Sequence, residues 1–289
     1  MDFREKDNKA NVDLDKGVEQ SVDAAPALQV DVAGIEDTKL SGSTNSLYPV
    51  TSTDVAVYVP SQAAYPGFFM VSATDTSPTA SPLQDGYVFR KENESDSWKQ
   101  TAYWSFISNT PLPKIALDAF GYATAVDAEA PLATPPSKIG QAYVDLLGAY
   151  TTGQLPAGSP FVSNTDTAGV LKRLHDKLAA AKAKGGNVQR TMKTTAQPVY
   201  ALQVEGGGAL VISIDEGTEI TTAGPGLVFI QDSSRKGFGG LLPPGDYTST
   251  TSHSFYFLAT VDPPANTPAP ALNVLGLFSG RDTYTGKKA

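Results

Sequence analysis

Apolar and polar residues alternate along much of the chain, in runs that turn clusters cut into strands. Leu28-Gln-Val-Asp-Val32 alternates with period two, and Asp54-Val-Ala-Val-Tyr-Val59 puts Val55, Val57 and Val59 on one side. Gly67 to Thr74, Gly86 to Lys91 and Ser97 to Ile107 continue the series. Between them lie Asp75-Thr-Ser-Pro-Thr-Ala-Ser-Pro82 and Glu92-Asn-Glu-Ser-Asp96, whose turn-forming residues imply hairpins and hence an antiparallel sheet. In the last strand the spacing predicts that Trp98, Ala102, Trp104 and Phe106 share one face, which then needs a covering layer. Ahead of these strands, residues 1–24 are polar, and Leu14, Val18 and Val22 at four-residue intervals predict one short helix.

The pattern breaks near Pro111, Pro113, Pro131, Pro135 and Pro136, because proline lacks the N–H that ladders and helices require. A second half then opens with helices. Ser137 is the expected cap of a helix reaching Thr151, with Ile139, Ala142, Tyr143, Leu146, Leu147 and Tyr150 at three- and four-residue spacings. Thr165 or Asp166 caps a second helix to about Lys184, striped by Leu171, Leu174, Leu178 and Ala181 and stopped by Gly185-Gly186. Strands resume at 188–192, 198–204, 206–214, 252–261 and 270–278, with an irregular stretch over 224–245. The expected organisation is an N-terminal α+β half over 1–110, a Pro-rich linker over 111–136, and a C-terminal helix-helix-strands half over 137–289. Each half is read as a roll, a curved antiparallel sheet packed by helices.

Composition narrows the chemistry. Charged residues are 18% of the 289, below the roughly 25% of an average domain, and the net charge is −8. An acidic surface repels a phosphate backbone, so nucleic acid is not an expected partner. The absence of cysteine excludes disulfides, Cys-zinc sites, iron–sulfur clusters and thiol catalysis. No apolar run approaches the ~20 residues that span a bilayer.

Several short stretches lie in the order seen in a known family. They are Val57-Tyr-Val-Pro60 with Tyr65-Pro-Gly-Phe-Phe69, then Trp98-Lys-Gln, Leu112-Pro-Lys-Ile-Ala116 and Gly121-Tyr-Ala123. Pro135 to Leu147, Gly208-Ala-Leu-Val211 and Phe255-Tyr-Phe257 follow. Over residues 48–280 the chain resembles an uncharacterised family of actinobacterial cell-surface lipoproteins. The resemblance implies two cystatin-like or nuclear-transport-factor-2-like halves and an exported, lipid-anchored protein. It brings no activity and no site residues. The family's signal and lipobox have no counterpart in this sequence, which reads as a chain trimmed downstream of its export signal, and its Ala-rich first helix is degenerate here.

Candidate chemistry is sparse. His175 borders a leucine stripe and His253 opens an aromatic strand; neither lies in a zinc-binding His-Glu-x-x-His. No Gly-x-Ser-x-Gly elbow is present. Asp215-Glu216 reads as a strand-end turn, with Asp145 as another isolated carboxylate. The Asp7, Asn11, Asp13, Asp15 run lacks the glycine and terminal glutamate of a calcium loop. Gly206-Gly-Gly208 joins two strands and so cannot cradle a phosphate. The expectation is therefore no catalytic residue, no metal and no cofactor. Tyr65, Phe68, Phe69, Trp98 and Trp104, with Phe106, form the candidate ligand or partner surface, although such aromatics more often serve as core. The resulting expectation is a non-catalytic surface protein that binds an envelope protein, a glycan or a small lipid-like apolar ligand, with the membrane reached only through its anchor. The alternative is a nuclear-transport-factor-2-like isomerase or dehydratase with an acid/base pair in its cavity.

Overall fold

The computed structural model describes residues 3–42, 48–62, 64–78, 80–106, 112–231, 242–268 and 271–289. Three helices lead: α1 (Phe3–Asp13), α2 (Lys16–Val22) and α3 (Ala27–Ser41). The single expected helix is thus broken at Leu14, whose φ is 55°, and restarted at Asp15, which caps α2 by accepting from the N–H groups of Gly17 and Val18. The strand expected over Leu28–Val32 is instead the first turns of α3. Its buried residues, Ala27, Val30, Ala33, Ile35 and Thr38, recur at helical intervals, and Gly42 ends it in the left-handed region.

Next comes an antiparallel meander of β1 (Thr51–Tyr58), β2 (Gly67–Ser77), β3 (Ala80–Lys91) and β4 (Lys99–Ser105), paired in chain order. One face carries Met70, Val88, Ala102 and Trp104 into a large core. The other carries Phe69, Val71, Tyr87 and Phe89 under Phe3 of α1. A register shift pairs Val88 with Ala102 but Phe89 with Gln100. This bulge turns the start of β4 over, so Trp98 lies on the face opposite Ala102, Trp104 and Phe106, correcting the single-face expectation.

The second half holds α4 (Pro136–Gly148), a 3-10 turn over Ala149–Thr151, and α5 (Ala168–Lys182). Pro136, whose missing N–H costs nothing at a first helical position, starts α4 where Ser137 was expected to cap. Thr167 precedes α5, and its hydroxyl accepts from the Asn164 N–H at 2.7 Å. Six strands follow: β5 (Asn187–Thr194), β6 (Tyr200–Gln203), β7 (Ala209–Thr222), β8 (Phe229–Gln231), β9 (Gly245–Asp262) and β10 (Asn273–Lys288). They pair antiparallel in the order β10-β9-β7-β5, with β6 on β7 and β8 on β9. β8 lies inside the stretch expected to be irregular, of which residues 232–241 fall outside the described residues.

The protein is therefore α+β, with two antiparallel sheets and five α-helices among the described residues. One face of the second sheet buries Ile139, Leu147, Leu171, Val211 and Leu258 beneath α4 and α5. Its other face gives Ile212, Ile214, Phe257 and Ala259 to the core that already holds Met70, Val88 and Trp104. Burial of apolar area on both sides of this layer, rather than the intervening linker, joins the halves. Tyr103 of β4 stacks on Phe257 of β9, with centroids 5.4 Å apart.

Candidate functional site

Two cavities lie between the leading helices and the outer face of the first sheet. The larger encloses ≈ 540 Å³. Phe3 and Val22 form its helical side; Val55, Val57, Phe69, Val71, Ala73, Phe89 and Trp98 form its sheet side. This lining follows from the two-residue period of β2 and β3, which sends Phe69, Val71 and Phe89 to one face, and from the bulge that adds Trp98 to them. Phe69 stacks on Phe89 at 4.9 Å and meets the edge of Trp98 at 4.9 Å. On the edge strand, Val55 and Val57 are more than half exposed, so the cavity opens there. Arg4, Lys6 and three serines supply its polar groups.

The smaller cavity, ≈ 270 Å³, shares Arg4 and Tyr87 with the first and is rich in carboxylates: Asp7, Asp31, Asp75 and Asp85. Arg4 organises it. Its guanidinium donates to Asp7 (2.8 Å), Asp75 (2.7 Å), Ser52 Oγ (3.0 Å) and Tyr87 Oη (2.9 Å). Ser52 and Tyr87 both donate to Asp75. Burial works against the Arg4 charge, but Tyr87, Asp75 and Asp7 more than offset it and raise its pKa. Burial pushes the Asp7 and Asp85 carboxyls up. Tyr103 donates to Asp31 at 2.8 Å.

The structure divides the aromatic set read from the sequence. Phe69 and Trp98 line the large cavity and Trp104 touches the small one. Trp104 is otherwise core, 2% exposed, beside Phe106. Phe68 packs on Tyr200 at 5.3 Å, and Tyr65 lies on the surface with the Lys91 ammonium 5.4 Å from its ring centroid. The polar members were not legible: Arg4 and Asp75 are 71 residues apart, and no local spacing announces their pairing.

In the second half His253 stands between two carboxylates, Asp282 at 2.7 Å from Nδ1 and Glu216 at 3.0 Å from Nε2, and Lys193 pairs with Glu216 at 2.8 Å. Asp215, one residue from Glu216, points the other way. It is buried beneath α4 without a hydrogen-bond partner among the described residues, and burial pushes its carboxyl up to about 7. Asp145 accepts from Gln141 at 2.7 Å, and His175 Nδ1 lies 3.0 Å from the Thr151 carbonyl. Among the described residues, no helix is long and apolar enough to cross a membrane.

Over residues 1–269 the chain matches the family described as a domain of unknown function, DUF8094. It belongs to that family. Among curated proteins, an uncharacterised lipoprotein of Streptomyces coelicolor is 26% identical over 212 residues, covering 71% of this chain and 58% of its own length. The chain thus spans under two thirds of that relative. No solved structure matches. The expected kinship with uncharacterised actinobacterial lipoproteins is confirmed.

Proposed function

We propose that this member of DUF8094 is the ligand-binding body of an exported lipoprotein, and that it takes a small apolar or single-chain amphiphilic molecule between α1 and the first sheet. The ≈ 540 Å³ apolar cavity carries this reading. Its volume falls in the range of small-molecule sites, about 300–1,000 Å³, and its few polar groups are gathered at Arg4, Lys6 and the serines. Arg4 is committed to Asp7, Asp75 and Tyr87, which leaves Lys6 as the cation for an anionic head group. A helix laid over a curved antiparallel sheet is also the enclosure of cystatin-like and nuclear-transport-factor-2-like rolls, and the first half is read as one. Export and surface anchoring rest on the family resemblance and on the lipoprotein description of the Streptomyces relative.

The test is equilibrium binding of a fluorescent single-chain fatty acid to delipidated protein. Saturable one-to-one binding, weakened by Val57→Glu at the exposed rim, supports the reading. Equal binding by both chains, or none, removes it and leaves an envelope protein or a glycan as the partner class. A second reading, an acid/base catalyst of isomerase or dehydratase type, draws on the half-buried Asp31–Tyr103 pair beside the smaller cavity. It predicts that Asp31→Asn abolishes turnover without reducing fatty-acid binding.

A further inference from the structure

We propose that Glu19, Asp23 and Asp31 hold a calcium-class divalent cation, which ties α2 and α3 to β4. This site lies apart from the apolar cavity and does not depend on the ligand proposed for it. One carboxylate comes from α2, one from the residue that ends it and one from α3. Each offers an oxygen, and the three oxygens lie within 4.8 Å of one another. Two calcium–oxygen bonds of about 2.4 Å span at most that distance, so one ion is within reach of all three.

The environment lacks what such a cluster otherwise needs. Glu19 is 0% and Asp23 1% exposed. Neither Glu19 oxygen nor Asp23 Oδ1 meets an N–H or hydroxyl donor among the described residues. Among those residues no lysine, arginine or histidine pairs with the three, and the charged groups acting on them are all acids. Burial pushes all three carboxyls up. Two buried charges without a donor, beside a third that is half-buried and bonded only to Tyr103 Oη among the described residues, are costly, so the cluster takes either a cation or shared protons.

Gln100 favours the cation. It is a neutral residue outside the acidic set, 5% exposed, and its Oε1 also has no partner among the described residues. Gln100 sits beside Asp23 through a backbone bridge, with the Ala24 N–H donating to its carbonyl at 2.8 Å. It pairs with Phe89 and Tyr103 pairs with Tyr87, so both leave β4 on the face from which Tyr103 reaches Asp31. An amide oxygen is a ready cation ligand, whereas two protons shared among three carboxylates leave none to donate to it. A dehydrated, all-oxygen set of this kind suits calcium better than magnesium, which keeps several waters.

Terbium luminescence tests the site, because Tyr103 bonded to Asp31 places a sensitising ring beside it. Chelator-treated full-length protein should give Tyr-sensitised terbium emission that calcium displaces. Calcium should raise Tm by several degrees over the chelated protein at pH 7.5. Asp23→Asn and Glu19→Gln should each lower calcium affinity at least ~10-fold while keeping the far-UV circular dichroism of the parent. No emission and no calcium effect on Tm, with Tm rising instead as pH falls, would mean shared protons and overturn the proposal. Undiminished emission in both variants would place the ion elsewhere and overturn it equally.

Discussion

Val30 of α3 lies directly on Gly280 of β10: a Cβ at residue 280 would come within 2.0 Å of Val30 Cγ1. The helix that closes the leading arm therefore rests on the last strand of the other half, and only a glycine admits it at this distance. Gly280→Ala should cost about 1–3 kcal/mol, the range for forcing atoms into a packed contact. Val30→Ala should recover part of that loss when combined with it. Urea unfolding of the two single variants and the double variant measures both terms. Because the core is shared, the transition should stay single in all of them.

Arg4 is the cation that three elements close around. Removing it leaves Asp75 and Asp7 without their cation beneath α1, although Ser52 and Tyr87 still donate to Asp75 and Asn11 to Asp7. Arg4→Met should destabilise the protein by about 2 kcal/mol, a value below that of a fully buried pair because Arg4 keeps 22% exposure. Amide exchange in α1 should quicken more than exchange in α4. Equal protection of α1 in both chains would contradict the anchoring role.

Asp215 gives a pH signature. Its carboxyl titrates near 7 in the fold and near 3.8 when exposed, so the folded chain binds the extra proton between those values. Its contribution to stability is complete below about 4 and is lost as pH rises to about 7. Asp215→Asn should therefore raise Tm by several degrees at pH 8 and change it little at pH 4.5. Calorimetry at the two pH values reads the difference, and an equal shift at both would contradict the assignment.

The same carboxylate limits α4. A Cβ at Gly140 would lie 2.7 Å from Asp215 Oδ1. Gly140→Ala should cost about 1–3 kcal/mol despite the better helix propensity of alanine. Adding Asp215→Ala should relieve most of it. Additive losses in chemical denaturation would show that the two residues do not press on each other.

What the sequence disclosed followed physical range. α4, α5 and most strands were legible because their signal lies within one element, as in the helical spacing of Leu171 and Leu178 or the unbroken buried run from Ala209 to Ile214. α3 was not, because Leu28 to Val32 satisfies a two-residue period while the longer run to Thr38 obeys the helical one. Trp98 changed face because a bulge between Gln100 and Ala102 depends on the pairing of β3 with β4, which β4 alone does not encode. Phe68, Phe69, Trp98 and Trp104 stood in the sequence as one undivided aromatic set; that Phe69 and Trp98 line one cavity, while Phe68 and Trp104 enter the core, required the sheet. The Arg4, Asp31 and Gln100 contacts join segments dozens of residues apart and left no local signal.

The apolar cavity itself is tested most directly by Trp98 emission. The chain has two tryptophans; Trp104 is 2% exposed in the core, whereas Trp98, 39% exposed, lines the cavity. Titrating delipidated protein with a saturated fatty acid should blue-shift and saturate the emission as water leaves the Trp98 ring. Trp98→Phe should abolish the shift while retaining binding by calorimetry. Emission that stays constant through a saturating titration, or a shift that survives in Trp98→Phe, would contradict a ligand seated between α1 and the first sheet.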